Sequence, residues 1–241
     1  MTLCTSSKST CSVDYCRMKS WRKKKPKWLC SIIYHFKMIC WVIALIRHYE
    51  FRLKQRGLLP LEEHLSIQDF INNTPKHYLD EDVALIVERD CKLTESLYDP
   101  PLSHPDLERF IPTDVQVHRM YANRYSDFDQ DRSDVFNADL CKRLKGGCVA
   151  ARITVYPSYN LLKGKEIYYP TNEEVHGVVP NGHVVLLTHY GFDAEDRLFY
   201  QFQESYGVET CDKGYAHVYA DLVTHFVDTV LRGNIVPCTS F

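Results

Sequence analysis

The chain has 241 residues, 45% of them hydrophobic and 12% aromatic, and a formal net charge of −2 at pH 7. That apolar content can bury a sizeable core in one large domain or two small ones, which excludes a disordered or fibrous chain. The near-zero charge gives no general attraction to nucleic acid or acidic membranes, so no nucleic-acid partner is expected.

Residues 1–27 show no clear element. The opening "MTLCTSSKSTCSVDY" lacks the apolar stretch of a secretory signal, so the sequence supplies no address to an oxidising compartment and disulfides are not expected. None of the ten cysteines forms a Cys-x-x-Cys pair, and Cys4, Cys11, Cys16 and Cys30 are too scattered for a common zinc site. No metal and no cofactor are expected. The basic run "RKKKPK", 22–27, reads in a near-neutral chain as a solvated loop rather than a nuclear address or a phosphate contact.

Next comes "FKMICWVIALI", where Cys40 can be a packed thiol, part of a membrane anchor, or a nucleophile. The stretch 28–46 has the length and basic flank of a spanning helix. His35 and Lys37 lie near its middle, where a lysine costs roughly 2.5 to 3.5 kcal/mol. No membrane contact is therefore expected, with an anchor at 28–46 as the alternative. From Cys40 onward Val42, Ile43, Ile46, Tyr49 and Leu53 recur at threes and fours, which predicts a helix ending near Gly57 with Arg47, Glu50 and Lys54 facing water.

"SIQDFINN" and "YLDEDVALIVERDC" predict two further short helices, and "DPPLSHP" breaks the pattern as a linker. A boundary near residue 110 separates a mostly helical part, 28–110, from a β-rich part, 111–241. In the latter, "CVAARITVYP", "GHVVLLTHYGF", "RLFYQFQES" and "GYAHVYADL" are rich in β-branched and aromatic residues and mostly bounded by turn residues, which predicts an antiparallel sheet or barrel. No Gly-rich phosphate loop follows any of them, so a nucleotide-binding enzyme is excluded.

Three segments in this order resemble the papain-like cysteine proteases. "CWVIALIRHYEFRLKQRGLLPLEEHLSIQDFI" is similar to that family's active-site helix, opened by Cys-Trp. "NGHVVLLTHYGF" is similar to the strand that begins with the catalytic His. "FYQFQESYGVETCDKGYAHV" is similar to the segment carrying Asn-Ser-Trp-Gly. The resemblance implies an α+β, two-lobed fold: a helical left lobe, an antiparallel β-barrel-like right lobe, and a cleft between them that takes a peptide or protein substrate. It further implies Cys40 as nucleophile and His183 as its imidazole partner. Glu204 stands at the position of the family's orienting Asn, Tyr206 at the Trp that shields the ring, and Tyr34 at the oxyanion-hole Gln. Members of the family are usually secretory, vacuolar or lysosomal, whereas no signal peptide is visible here.

The chemistry accounts for these residue types. A cysteine in the first turn of a helix has its pKa lowered by unpaired N–H groups and the macrodipole. An imidazole within hydrogen-bond reach forms the ion pair and later protonates the leaving amine, held by a third group. Lys37, Met38 and Ile39 replace the Cys-Gly-Ser before the nucleophile, and "NNTPKHYLDE" lacks the glycines of the family's substrate loop. Two functions follow: a cysteine peptidase, impaired at Tyr34 and Glu204, or a catalytically degenerate homologue that binds peptides or partners without cleaving them.

Overall fold

The computed structural model describes residues 20–34, 39–73, 114–121 and 130–230. Cys4, Cys11, Cys16, Lys37, Met38, the helix expected over 78–91, the linker and the boundary near 110 lie outside them.

Helices pack on a seven-stranded sheet in the order β1-β7-β2-β4-β5-β6-β3. The strands are β1 Asp114–Arg119, β2 Val149–Val155, β3 Ile167–Tyr168, β4 Asn181–Phe192, β5 Leu198–Gln203, β6 Tyr215–Tyr219 and β7 Val223–Val230. All neighbours are antiparallel except β3 and β6, which run parallel. This is the α+β architecture that the sequence pattern predicts.

The central helix, α2, spans Cys40–Gln55. Its end is a Schellman motif: Leu58 N–H donates to Leu53 O at 3.0 Å and Gly57 N–H to Lys54 O at 3.1 Å, with Gly57 at φ 69°. Leu58 packs against the cluster of Tyr49, Leu53 and Leu59, the kind of apolar contact that accompanies this cap. The apolar stripe is buried as the spacing requires, but Arg47, Glu50 and Lys54 do not face water: they are 2%, 1% and 3% exposed. The helix is enclosed on its polar side too, and each charge is met. Arg47 Nη2 donates to Ser31 O at 2.7 Å. Lys54 Nζ lies 2.5 Å from Glu50 Oε1, and Leu65 N–H donates to Glu50 Oε2 at 3.1 Å.

The segment before α2 is a short helix, α1 Trp21–Lys24, then a 3-10 turn over Pro26–Trp28, then non-helical chain to Tyr34. Among the described residues no helix is long and apolar enough to cross a membrane. The basic run is more than a solvated loop. Arg22 lies 4.1 Å from the Tyr215 ring and pairs with Asp212 at 2.7 Å, Lys24 lies 4.3 Å over Trp21, and Lys25 5.0 Å over Trp28. Trp21, Trp28 and Phe51 then pack together, fastening this segment to α2.

α3, Ile67–Asn73, forms where "SIQDFINN" predicts it. A 17-residue helix, α4 Gln130–Gly146, stands in a stretch assigned to the β-rich part. Its buried residues Ser133, Phe136, Asn137, Leu140 and Leu144 make a narrow stripe holding only three apolar side chains, too few to stand out in a polar sequence. That stripe closes the main core against Val149, Ala151, Leu187, Tyr200 and Phe226 of the sheet.

Candidate active site

Three elements converge on Cys40. It is the first residue of α2, whose N-cap, Ile39, supplies no side-chain hydrogen bond. The first-turn N–H groups are thus left for another acceptor. His183 and the backbone N–H groups of Val184 and Trp41 lie close enough to the thiol to favour its ionised form. His183 stands near the start of β4, and Glu204 follows directly on β5.

Burial penalises a thiolate, but His183 and the two N–H groups outweigh it, and the Cys40 pKa lies below the ordinary thiol value of 9.0. Burial likewise penalises an imidazolium at His183. Its hydrogen bonds to Cys40 and Glu204, and their negative charges, reverse the sign and raise its pKa to about 10. Both shifts favour one state, a thiolate facing an imidazolium. The other described cysteines go the opposite way: burial first of all raises Cys30 to about 12, Cys141 and Cys211 to about 11, and Cys148 well above its ordinary value.

Glu204 is 1% exposed and turned inward. Its Oε1 lies 2.8 Å from His183 Nε2 and accepts Ser205 N–H at 2.8 Å. With Nε2 so engaged, Nδ1 is the ring nitrogen left for Cys40. The other oxygen, Oε2, accepts a hydrogen bond from the Tyr159 hydroxyl. Burial disfavours the charged carboxylate, yet His183, Tyr159 and Ser205 together hold its pKa below the usual range. Burial, followed by the Glu204 charge, raises the Tyr159 phenol well above its ordinary value, so Tyr159 remains a donor.

The sequence pattern missed Tyr159. A glutamate one methylene longer than asparagine brings a second oxygen into a buried site, and that oxygen needs a donor. This requirement is the one sequence signal that points to a nearby hydroxyl. Tyr159 sits in the 3-10 turn Pro157–Leu161, which is itself held from outside. Helix α5, Asn172–Gly177, begins with a capping box between Thr171 and Glu174, and Glu174 also accepts Ser158 N–H at 2.7 Å and Ser158 O–H at 2.6 Å.

Tyr206 stacks on the His183 ring, centroids 5.3 Å apart and planes 8° from parallel. Its phenol is raised to about 12 by burial and then by the charges of Glu204 and Cys40. Tyr34 forms an isolated antiparallel bridge with Tyr206 and is 55% exposed. The adjoining Gly207 has φ 92°, and a Cβ there would lie 3.2 Å from Tyr34 Cδ2, so glycine admits both the turn and the tyrosine. Thus Cys40, His183, Glu204 and Tyr206 gather at one point, while Tyr34 is fixed by its backbone beside Tyr206 with its ring against Gly207.

A second titratable group lies below α2. Ligand atoms of Cys30, Glu50 and His64 come within 4.8 Å of one another. The carboxylate at its centre already meets the Lys54 ammonium at 2.5 Å and His64 Nδ1 at 2.8 Å. A buried ammonium at that oxygen opposes a second cation, so the donor set does not fit a metal.

No protein-family model matches the sequence, and no curated protein matches it. Solved structures do. The bromelain protease from Ananas comosus, in complex with the E64 inhibitor, aligns with a TM-score of 0.60 at 14% identity, over 89% of this chain and 98% of its own. Two crystal structures of Amb a 11, a cysteine protease and major ragweed pollen allergen, in its proform, align with TM-scores of 0.59 and 0.57 at 15% and 17% identity. They cover 88% and 90% of this chain, which spans 64% and 60% of those proforms. At such identities likeness establishes fold alone, and the fold is that of the papain-like cysteine proteases.

Proposed function

We propose that this chain is a cysteine peptidase of reduced activity. Cys40 attacks the scissile carbonyl, His183 protonates the leaving amine and then activates water, Glu204 orients the ring, and Tyr206 covers it. The observation that carries the reading is the arrangement itself: Cys40 opens α2 beside His183, whose ring lies 2.8 Å from the buried Glu204 carboxylate and is stacked on Tyr206, and of the described cysteines Cys40 alone has its pKa lowered. The peptide or protein substrate lies across Cys40, between α2 and the start of β4.

The reduction in activity rests on Tyr34. A glutamine amide at that position would supply a second donor to the oxyanion beside the Cys40 N–H. A tyrosine, here paired through its backbone with Tyr206, has no amide NH₂ to offer in that place. Loss of one such donor costs about a hundred- to a thousandfold in turnover. The same observation favours the second reading, a homologue that holds peptides without cutting them. A peptide-based thiol electrophile separates the two. Labelling of the wild type between pH 5 and 8, absent in Cys40→Ala, supports the peptidase; no labelling anywhere in that range leaves the binding protein.

A further inference from the structure

The sheet brings a second chemistry to the edge of this site. Arg119 of β1 stands opposite His225 of β7, His225 opposite Arg152 of β2, and Arg152 opposite Val184 of β4. Directly opposed residues project from the same face, so these four form a row across four strands. Successive residues alternate, so Ile153 and His183, both buried, point to the opposite face.

One end of the row adjoins the site, because Val184 directly follows His183 on β4 and its N–H is one of the groups that favour the Cys40 thiolate. Two residues back, the Arg152 guanidinium covers Gly182: a Cβ there would come within 2.6 Å of both Nε and Nη2. The residue before His183 is therefore a glycine with an arginine above it. Arg152 Nη1 donates to Thr224 Oγ1 at 3.2 Å, and Thr224 Oγ1 lies 2.9 Å from His225 Nδ1. Arg152 and Arg119 are exposed, and among the described residues neither is ion-paired to a carboxylate. Burial and then the two guanidiniums lower the pKa of His225, so it adds no charge of its own.

We propose that Arg152, backed by Arg119, selects peptides that carry an acidic side chain close to the reacting bond. The inference rests on the reading that a peptide lies across Cys40. Gly182 and Val184 are two residues apart, about 7 Å along the strand, a distance covered by one residue's step along an extended substrate together with the reach of an aspartate or glutamate side chain. A carboxylate there meets a planar fork with paired donors. Because the guanidinium is exposed, the preference is modest and salt-dependent, about three- to tenfold.

Cys40→Ala protein, which cannot consume the ligand, is titrated by calorimetry with hexapeptide pairs that differ only in Glu versus Gln at one position, scanned through all positions. At one position Glu binds about three- to tenfold tighter at low salt; the ratio shrinks in about 0.5 M salt, falls to near one with Arg152→Gln, and partly returns with Arg152→Lys. Equal binding of every Glu/Gln pair, no binding of any peptide, or a preference that survives Arg152→Gln overturns the proposal. Wild-type protein is then incubated with the same peptides and the products weighed. Intact peptides alongside a Glu preference sink the peptidase and leave this selectivity standing. Cleavage indifferent to the acid does the reverse.

Discussion

Glu204→Gln removes a charge from the site while keeping its shape. The amide oxygen of glutamine can still accept from His183 Nε2 and from Ser205 N–H, both 2.8 Å from Oε1, and its NH₂ turns to Tyr159, whose hydroxyl then accepts. What is lost is the charge assistance. A hydrogen bond to an ionised partner contributes about 1.5 to 3 kcal/mol against about 0.5 to 1.5 for a neutral one, a difference of about 1.3 kcal/mol. At 1.36 kcal/mol per pKa unit this lowers the His183 pKa by about one unit, from about 10 to about 9. The assay is an NMR titration of the His183 ring Cε1–H signal, assigned by its absence in His183→Ala. A wild-type midpoint near 6.5, or a midpoint that Glu204→Gln leaves in place, would refute the electrostatic account of the site.

Linkage gives a second prediction, about stability. His183 is held above its ordinary value of 6.5, at about 10, so the folded state binds more protons than the unfolded chain between those limits, and the stability it contributes is present in full below 6.5 and is lost as pH rises through about 10. The melting-temperature difference between wild type and His183→Ala should shrink as pH rises from 6.5 to about 10, and a difference that grows over that range would contradict it. Tyr159→Phe strands Glu204 Oε2 in a buried site and should lower stability by about 1 to 3 kcal/mol in urea unfolding; an unchanged midpoint would mean the phenol is dispensable. Lys54→Met removes the ammonium that neutralises the buried Glu50 carboxylate, and should destabilise by about 3 kcal/mol or more. Stability equal to wild type would show that the charge is carried elsewhere.

Much of this site was readable from local pattern. The Cys40 helix declares its start by Cys-Trp and its end by Gly57, and the four main strands announce themselves by β-branched and aromatic runs. The extra methylene of Glu204 could as well turn its carboxylate to solvent, and the 2.8 Å contact with His183 shows it turned inward. What stayed hidden depends on partners far along the chain. Arg47, Glu50 and Lys54 repeat at threes and fours like any solvated stripe, and only the packing of residues 29–34 and 58–65 around them makes that face interior. β1 and β7 pair across more than a hundred residues, with a short alternation in "DVQVHR" as the sole local sign. Tyr159 meets Glu204 across 45 residues, a contact that no spacing rule could suggest.

The central claim is that Cys40 forms a covalent acyl intermediate. Wild-type protein mixed with an acidic-residue peptide ester, quenched in acid within seconds and digested for mass spectrometry, should carry the acyl mass on the Cys40 peptide. The adduct should be absent in Cys40→Ala and scarce in His183→Ala. An unmodified Cys40 peptide in the wild type, or an equal adduct on Cys30, Cys141 or Cys211, would contradict the account.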